Sequence, residues 1–106
     1  MNDHFDILFQ PVPIGPVVAP NRFYQVPHCN GMGRSYPSSM ARMRGIKAEG
    51  GWAVVCTEQC DIHWTSDSIR EIRLWDDRDI PYLARMVEAV HEHDSLASFQ
   101  LVHMGY

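Results

Sequence analysis

A thiol and an imidazole stand side by side in NRFYQVPHCNGMG, residues 21–33. Cys29 is an unpaired sulfur that becomes a nucleophile or redox centre once deprotonated. His28 is a side chain that can gain or lose a proton near neutral pH. Before them Pro27 stops the strand-like run Phe23-Tyr24-Gln25-Val26, removing an amide donor and stiffening the approach. Two glutamines stand at the ends of later apolar runs, Gln59 after Thr57-Glu58 and Gln100 in QLVHMG. A glutamine amide offers an acceptor and a donor at once. Spacing alone also allows plainer roles. Cys29 reads equally as a small packed thiol, His28 as a loop imidazole in water, Gln59 as a side chain bonded to backbone, and Gln100 as a strand-end residue facing solvent. His103 shows no role beyond a structural one.

Other groupings carry no chemistry. Cys56-x-x-x-Cys60 has neither zinc nor iron–sulfur spacing, and its sulfurs are expected on opposite faces of a strand. His91-Glu92-His93 lacks the i, i+4 geometry of a metalloprotease helix, and no glycine-rich dinucleotide fingerprint or phosphate loop is present.

The elements that must position these residues follow from pattern. QPVPIGPVVAP, residues 10–20, is too rich in proline for a helix and predicts a short hairpin bending at Gly15-Pro16. Residues 22–26 predict a first strand. Ser38-Ser39 are candidate caps for a helix over 40–49, ended by Gly50-Gly51. Residues 52–57, WAVVCT, form a continuous apolar and β-branched run, the signature of a parallel strand covered on both faces. A polar loop over 61–75 follows. Ile80, Leu83, Val87 and Val90 then mark one face of a helix capped by an Asp within 76–79. Residues 96–101 predict a third strand. Strands alternating with helices give an α/β fold with βαβ units and a parallel sheet.

Composition bounds the function. The chain has 106 residues, 45% hydrophobic and 21% charged, as expected for one small globular domain. A net charge of −4 with scattered basic residues gives no nucleic-acid surface. No run reaches the roughly 18 apolar residues of a membrane span, and MNDHFDILFQ is not a secretory signal. Three cysteines, an odd number, favour a reducing cytoplasm over a disulfide framework. The sequence stops at Gly105-Tyr106, just after the third strand, which leaves sheet edges bare. Residues 1–106 are therefore expected to be a fragment, or a truncated copy, of a larger barrel. Barrel sites lie at the C-terminal ends of the strands, so 26–29, 57–60 and 100–103 should converge on one mouth.

Taken together, NRFYQVPHC, KAEGGWAVVCTEQC and QLVHMG resemble the old yellow enzyme class of FMN-dependent (β/α)8 barrels. QVPHC, RGIKAEGGW and TEQC resemble, more narrowly, its trimethylamine and dimethylamine dehydrogenase branch, and the resemblance implies that residues 1–106 are the N-terminal portion, a hairpin plus about three βα units, of a TIM (β/α)8 barrel of about 250 residues. The resemblance implies that the backbone at Val26, Pro27 and His28 runs along the flavin. It implies that Cys29 lies at the flavin edge, where this branch carries a covalent bond to carbon 6 and other members a free cysteine that tunes the flavin. Gln100 is implied to bond the flavin pyrimidine edge. Gln59 stands where the trimethylamine enzymes have a tyrosine of an aromatic bowl around the substrate cation. A hydrogen-bond acceptor there suits the N–H of a secondary or N-methylated amine, so Gln59 is implied to bind substrate as well as cofactor. No catalytic residue is assigned within the chain.

The implied activity is oxidation of such an amine by hydride transfer to FMN. A [4Fe-4S] cluster is expected only outside these residues, and an electron acceptor protein such as an electron-transfer flavoprotein is expected to take the electrons. The complete protein is expected to be a homo-oligomer, and the 106-residue chain alone to be inactive. Two alternatives stand beside this reading: a nicotinamide-dependent ene-reductase of the same class, and a non-enzymatic thiol redox module. The sequence departs from the family at Asp94, where a helix-ending glycine is usual, and at Tyr106, where many ene-reductases have arginine.

Overall fold

The computed structural model describes residues 3–66 and 70–105; Tyr106 and part of the polar loop over 61–75 lie outside them. A 3-10 turn, Asp3–Phe9, leads into an antiparallel hairpin of β1 (Val12–Ile14) and β2 (Val17–Ala19). The turn takes Gly15 through a positive φ of 55°, as Gly15-Pro16 predicted. Next come β3 (Tyr24–Gln25), a one-turn helix α1 (Met32–Ser35) and the longer α2 (Pro37–Glu49). The chain then forms β4 (Val54–Asp61), β5 (Ile72–Arg73), α3 (Ile80–His91) and β6 (Leu96–Val102).

The sheet is parallel, as the continuous apolar run at 52–57 implied. β4 is its axis. β6 lies along one side of it, and the other side is shared by β3 at the N-terminal end and β5 at the C-terminal end. Met40, Ala41 and Ala48 of α2 and Leu83, Met86 and Val90 of α3 pack over Val55, Cys60 and Ile72. A second cluster, Ala19, Ala53 and Val54 with Val12 and Leu96 against it, seats the hairpin on the N-terminal ends of the strands. Among the described residues the sheet does not close on itself.

Several boundaries differ from expectation for local reasons. α2 starts at Pro37 because proline's fixed φ suits a first helical position. Ser38 and Ser39 are not caps, and the Ser38 hydroxyl instead accepts a hydrogen bond from Arg85 of α3 at 2.9 Å. β4 runs on to Asp61, since Thr57, Glu58 and Asp61, polar though they are, are fully buried. β5, α1 and the 3-10 turn were not foreseen; each is too short to carry a period.

Before α3, Asp76 caps a further 3-10 turn, Asp77–Asp79, in a reciprocal box with Asp79. Burial alone would raise the Asp79 carboxyl. Hydrogen bonds from Arg73 at 2.8 Å and from the Trp75 and Asp76 amides outweigh that and hold it below the ordinary range. Hydrogen bonds from Arg78 lower the exposed Asp76 to about 2. Asp94 adopts the left-handed conformation, φ 61°, that its place after the helix demanded.

A bulge in β4 matters most for the site. Cys56 pairs with Ser98 and Gln59 with Gln100, so β4 advances three residues while β6 advances two. One extra residue reverses the in–out alternation. Val55 before the bulge and Cys60 after it therefore both face the helices, although they are five apart. Cys56, by contrast, lies outside that cluster with its sulfur 3.6 Å from the Ser98 hydroxyl. The two sulfurs do lie on opposite faces, but the bulge is the cause: four residues apart on a regular strand they would share one.

Candidate functional site

The C-terminal ends of β3, β4 and β6 converge, and residues 26–33 run across the end of β4. This segment has no ladder of its own, so side chains must satisfy its backbone groups. Two fully buried charged residues do so. Arg44 of α2 donates from Nη2 to the His28 carbonyl at 2.6 Å and from Nη1 to the Gln25 side chain at 3.3 Å. Glu58, in the bulge, accepts the Asn30 and Gly31 amides on Oε2 at 3.0 and 3.1 Å, and the Gly33 amide on Oε1. Burial pushes the Arg44 guanidinium below its ordinary value, and the Glu58 carboxylate counters part of that shift.

Cys29 lies between these anchors and is exposed, whereas Cys56 and Cys60 are buried. Its sulfur accepts the Gln59 amide at 3.4 Å and lies 3.7 Å from Glu71 Oε2. Its pKa is raised, first by desolvation and then by the Glu71 and Glu58 carboxylates, against the lowering effect of the Gln59 amide. At neutral pH the group is a thiol. Redox-sensing cysteines are low-pKa thiolates, so this environment weighs against a stand-alone redox module.

Gln59 and Gln100 are partners in register, and the Gln100 amide is held by the Thr57 hydroxyl at 3.3 Å. Alternation after the bulge turns Gln59 away from the helices, opposite to Cys60. Neither glutamine side chain has a hydrogen-bond partner among the described residues. Tyr24, Cys56 and Ser98 line the same face, with Tyr24 Oη and Ser98 Oγ 2.9 Å apart. Val26 is exposed, Pro27 half-buried, and the His28 ring faces solvent while its carbonyl is held by Arg44. The six predicted site residues thus share one end of the sheet. His103 lies beyond them. Its Nε2 is 3.0 Å from the Thr65 hydroxyl, which is 2.6 Å from His63 Nδ1, tying the loop after β4 to the end of β6.

Glu58 and Arg44 were not anticipated as part of the site. The usable signal was an acidic residue interrupting the buried run WAVVCTEQC, together with a loop, Asn30-Gly31-Met32-Gly33, rich in amides and poor in side chains. Gly33 has a packing reason: a Cβ there would fall within contact of Ile72 and Glu58.

An exposed sulfur beside two uncommitted amides fits a flat heterocycle whose edges carry both donors and acceptors. The model of the NADH:flavin oxidoreductase / NADH oxidase family matches residues 7–106. Dimethylamine dehydrogenase of Hyphomicrobium sp. is 52% identical over 103 residues, covering 95% of this chain and 14% of that protein. The structure of histamine dehydrogenase from Rhizobium sp. 4-9 superposes with a TM-score of 0.93 at 55% identity, covering 97% of this chain and 16% of that one. The old yellow enzyme from Trypanosoma cruzi shares the fold, with a TM-score of 0.79 at 18% identity over 94% of this chain and 28% of that one. The chain thus spans about one-seventh of the curated relative and about one-sixth of the histamine enzyme.

Proposed function

Since this chain belongs to the NADH:flavin oxidoreductase / NADH oxidase family, we propose that it builds part of the FMN site of an amine dehydrogenase that oxidises a secondary or N-methylated amine. The observation that carries this reading is the meeting of Cys29, Gln59 and Gln100 at one end of the parallel sheet. Bound FMN would supply the two-electron acceptance that oxidises the carbon beside the amine nitrogen. Val26, Pro27 and the His28 backbone would line its edge, Gln100 would meet its pyrimidine side, and Cys29 would form a covalent link to it. Gln59 would accept a hydrogen bond from the substrate N–H, fixing the carbon to be oxidised. The imine product then hydrolyses to formaldehyde and the demethylated amine.

An electron acceptor protein such as an electron-transfer flavoprotein would take the electron pair. The branch's [4Fe-4S] cluster would belong to a part of the protein beyond these residues. Three unpaired thiols support a reducing compartment such as the cytoplasm.

The test uses the full-length protein that contains this chain. Under anaerobic conditions dimethylamine-type substrates are expected to bleach its flavin absorbance, and an enone with NADPH is expected to give no turnover. The reverse pattern would establish the ene-reductase alternative, and a colourless protein would remove the flavin reading altogether.

Selectivity has a separate test in Gln59→Tyr. The substitution exchanges an acceptor for an aromatic face, and a cation–π contact is worth about 1–2 kcal/mol in a desolvated site. The ratio of kcat/KM for trimethylamine to that for dimethylamine is expected to rise about tenfold. An unchanged ratio would remove Gln59 from substrate recognition.

A further inference from the structure

We infer that Glu58 and Arg44 are positioning residues that grip the chain on both sides of Cys29 and so set where its sulfur stands. The inference rests on the flavoprotein reading and concerns a different question: what holds the sulfur in place before it meets the cofactor.

Arg44 binds the carbonyl of residue 28, just before the cysteine. Glu58 binds the amides of residues 30, 31 and 33, just after it. Cys29 therefore hangs from a short span fixed at both ends. Without those bonds the span would be loose, because Asn30-Gly31-Met32-Gly33 contains two glycines and Gly31 adopts a positive φ of 79°.

Energetics point the same way. Both side chains are fully buried. Removing charge from water costs several kcal/mol per ion unless hydrogen bonds replace the solvent. Glu58 recovers that cost from the three amides of this loop and from its attraction to the Arg44 guanidinium; no salt bridge to it lies within 4.0 Å among the described residues. Its carboxylate is thus committed to the geometry of residues 30–33. A further contact, from the Gln59 amide to the Cys29 sulfur, comes from the residue next to Glu58 on the same bulge. One distortion of β4 thereby sets the loop, the sulfur and the paired glutamine together.

The covalent link depends on this geometry. Joining the sulfur to a flavin ring carbon forms one S–C bond. The thiol and the ring carbon each lose a proton, and the electron pair passes to dioxygen or another two-electron acceptor. Reacting atoms must lie about 3–3.5 Å apart, and an error of about 1 Å can cost about 100-fold in rate. Because the surroundings keep Cys29 protonated, position rather than thiol acidity must supply the advantage.

The experiment uses the full-length protein, expressed without flavin and then loaded with FMN. Wild type, Glu58→Gln and Arg44→Lys are compared for total flavin bound, melting temperature and the rate at which flavin becomes resistant to acid precipitation. Glu58→Gln keeps the shape but offers one acceptor oxygen for three amides. Arg44→Lys keeps the charge but has one nitrogen in place of the two that reach the His28 carbonyl and the Gln25 side chain. In both variants we expect acid-stable flavin to accumulate about tenfold or more slowly, at unchanged total flavin. A merely structural role would lower melting temperature and flavin content without singling out attachment. Wild-type rates in both variants would overturn the proposal.

Amide hydrogen exchange of the wild-type protein provides the second measurement. The Asn30, Gly31 and Gly33 amides, which have no strand or long-helix partner, are expected to be protected. Rapid exchange at all three overturns the clamp even where the variants do not fold. A wild type whose flavin is wholly released by acid removes the covalent reading instead and leaves the clamp to be decided by exchange.

Discussion

Cys29→Ser is expected to move all of the yellow colour of the acid-precipitated full-length protein from the pellet to the supernatant. Serine is nearly isosteric with cysteine, and its hydroxyl can still accept the Gln59 amide. It cannot form the stable thioether, because its pKa lies far above that of a thiol and its oxygen is a much weaker nucleophile. The loop itself should not move. Its anchors are the Arg44 contact with the His28 carbonyl and the Glu58 contacts with the amides of 30, 31 and 33. The lost sulfur contact is a weak hydrogen bond, so stability should change by less than about 1 kcal/mol. Total flavin should remain near wild type if Gln59 and Gln100 hold the ring, while its acid-stable share falls to background. Colour retained in the pellet of the variant would mean that another residue carries the link. Cys56 and Cys60 are poor candidates, since both are buried and burial raises the Cys60 thiol to about 11.

Gly33→Ala should have the largest effect on stability of any single methyl group added to this region. The new Cβ would overlap Ile72 and Glu58. Neither is a free side-chain tip: Ile72 is 3% exposed and belongs to the core with α2 and α3, and Glu58 is held by three amides. Relief requires moving β5, or releasing the carboxylate and leaving the buried Gly33 amide unpaired. Overpacking costs about 1–3 kcal/mol, and an unsatisfied buried group about 1–3 more. A loss of about 2–5 kcal/mol is therefore expected in urea denaturation, with a matching drop in melting temperature. Gly50→Ala is the control. Gly50 has φ −71° and only ordinary contacts around its added Cβ, so its change should stay within about 0.5 kcal/mol. A loss below about 1 kcal/mol for Gly33→Ala would show that Ile72 or Glu58 yields readily.

What the sequence made legible had a period or a punctuation mark. The 3-4-3 spacing of Ile80, Leu83, Val87 and Val90 gave α3, and the unbroken run from Trp52 gave the parallel β4. Pro27 and Gly50-Gly51 marked two ends. The mouth followed from topology once the strands were placed, so Cys29, Gln59 and Gln100 could be grouped from strand order alone. Glu58 and Arg44 escaped because polarity normally signals solvent. Their partners are backbone groups of a loop, and a backbone amide leaves no trace in the identity of its residue. Asp61, also fully buried, hid the true end of β4 for the same reason. The bulge was equally invisible, since pairing with β6 creates it and no residue type requires it.

The bulge has a consequence for how such proteins can diverge. Below it, β4 and β6 are in one phase, and above it in the other. Substitution at position 59 therefore rewrites the mouth one side chain at a time and leaves the helix-facing layer untouched. Deletion of Thr57 would instead remove the extra residue: Gln59 and Cys60 would keep their partners in β6 and their faces, and what would be lost is the bulge that carries Glu58 to the amides of residues 30–33. Descent among such barrels should accordingly tolerate swaps of residue identity here and resist changes of length. Laboratory evolution of substrate range should draw its libraries the same way.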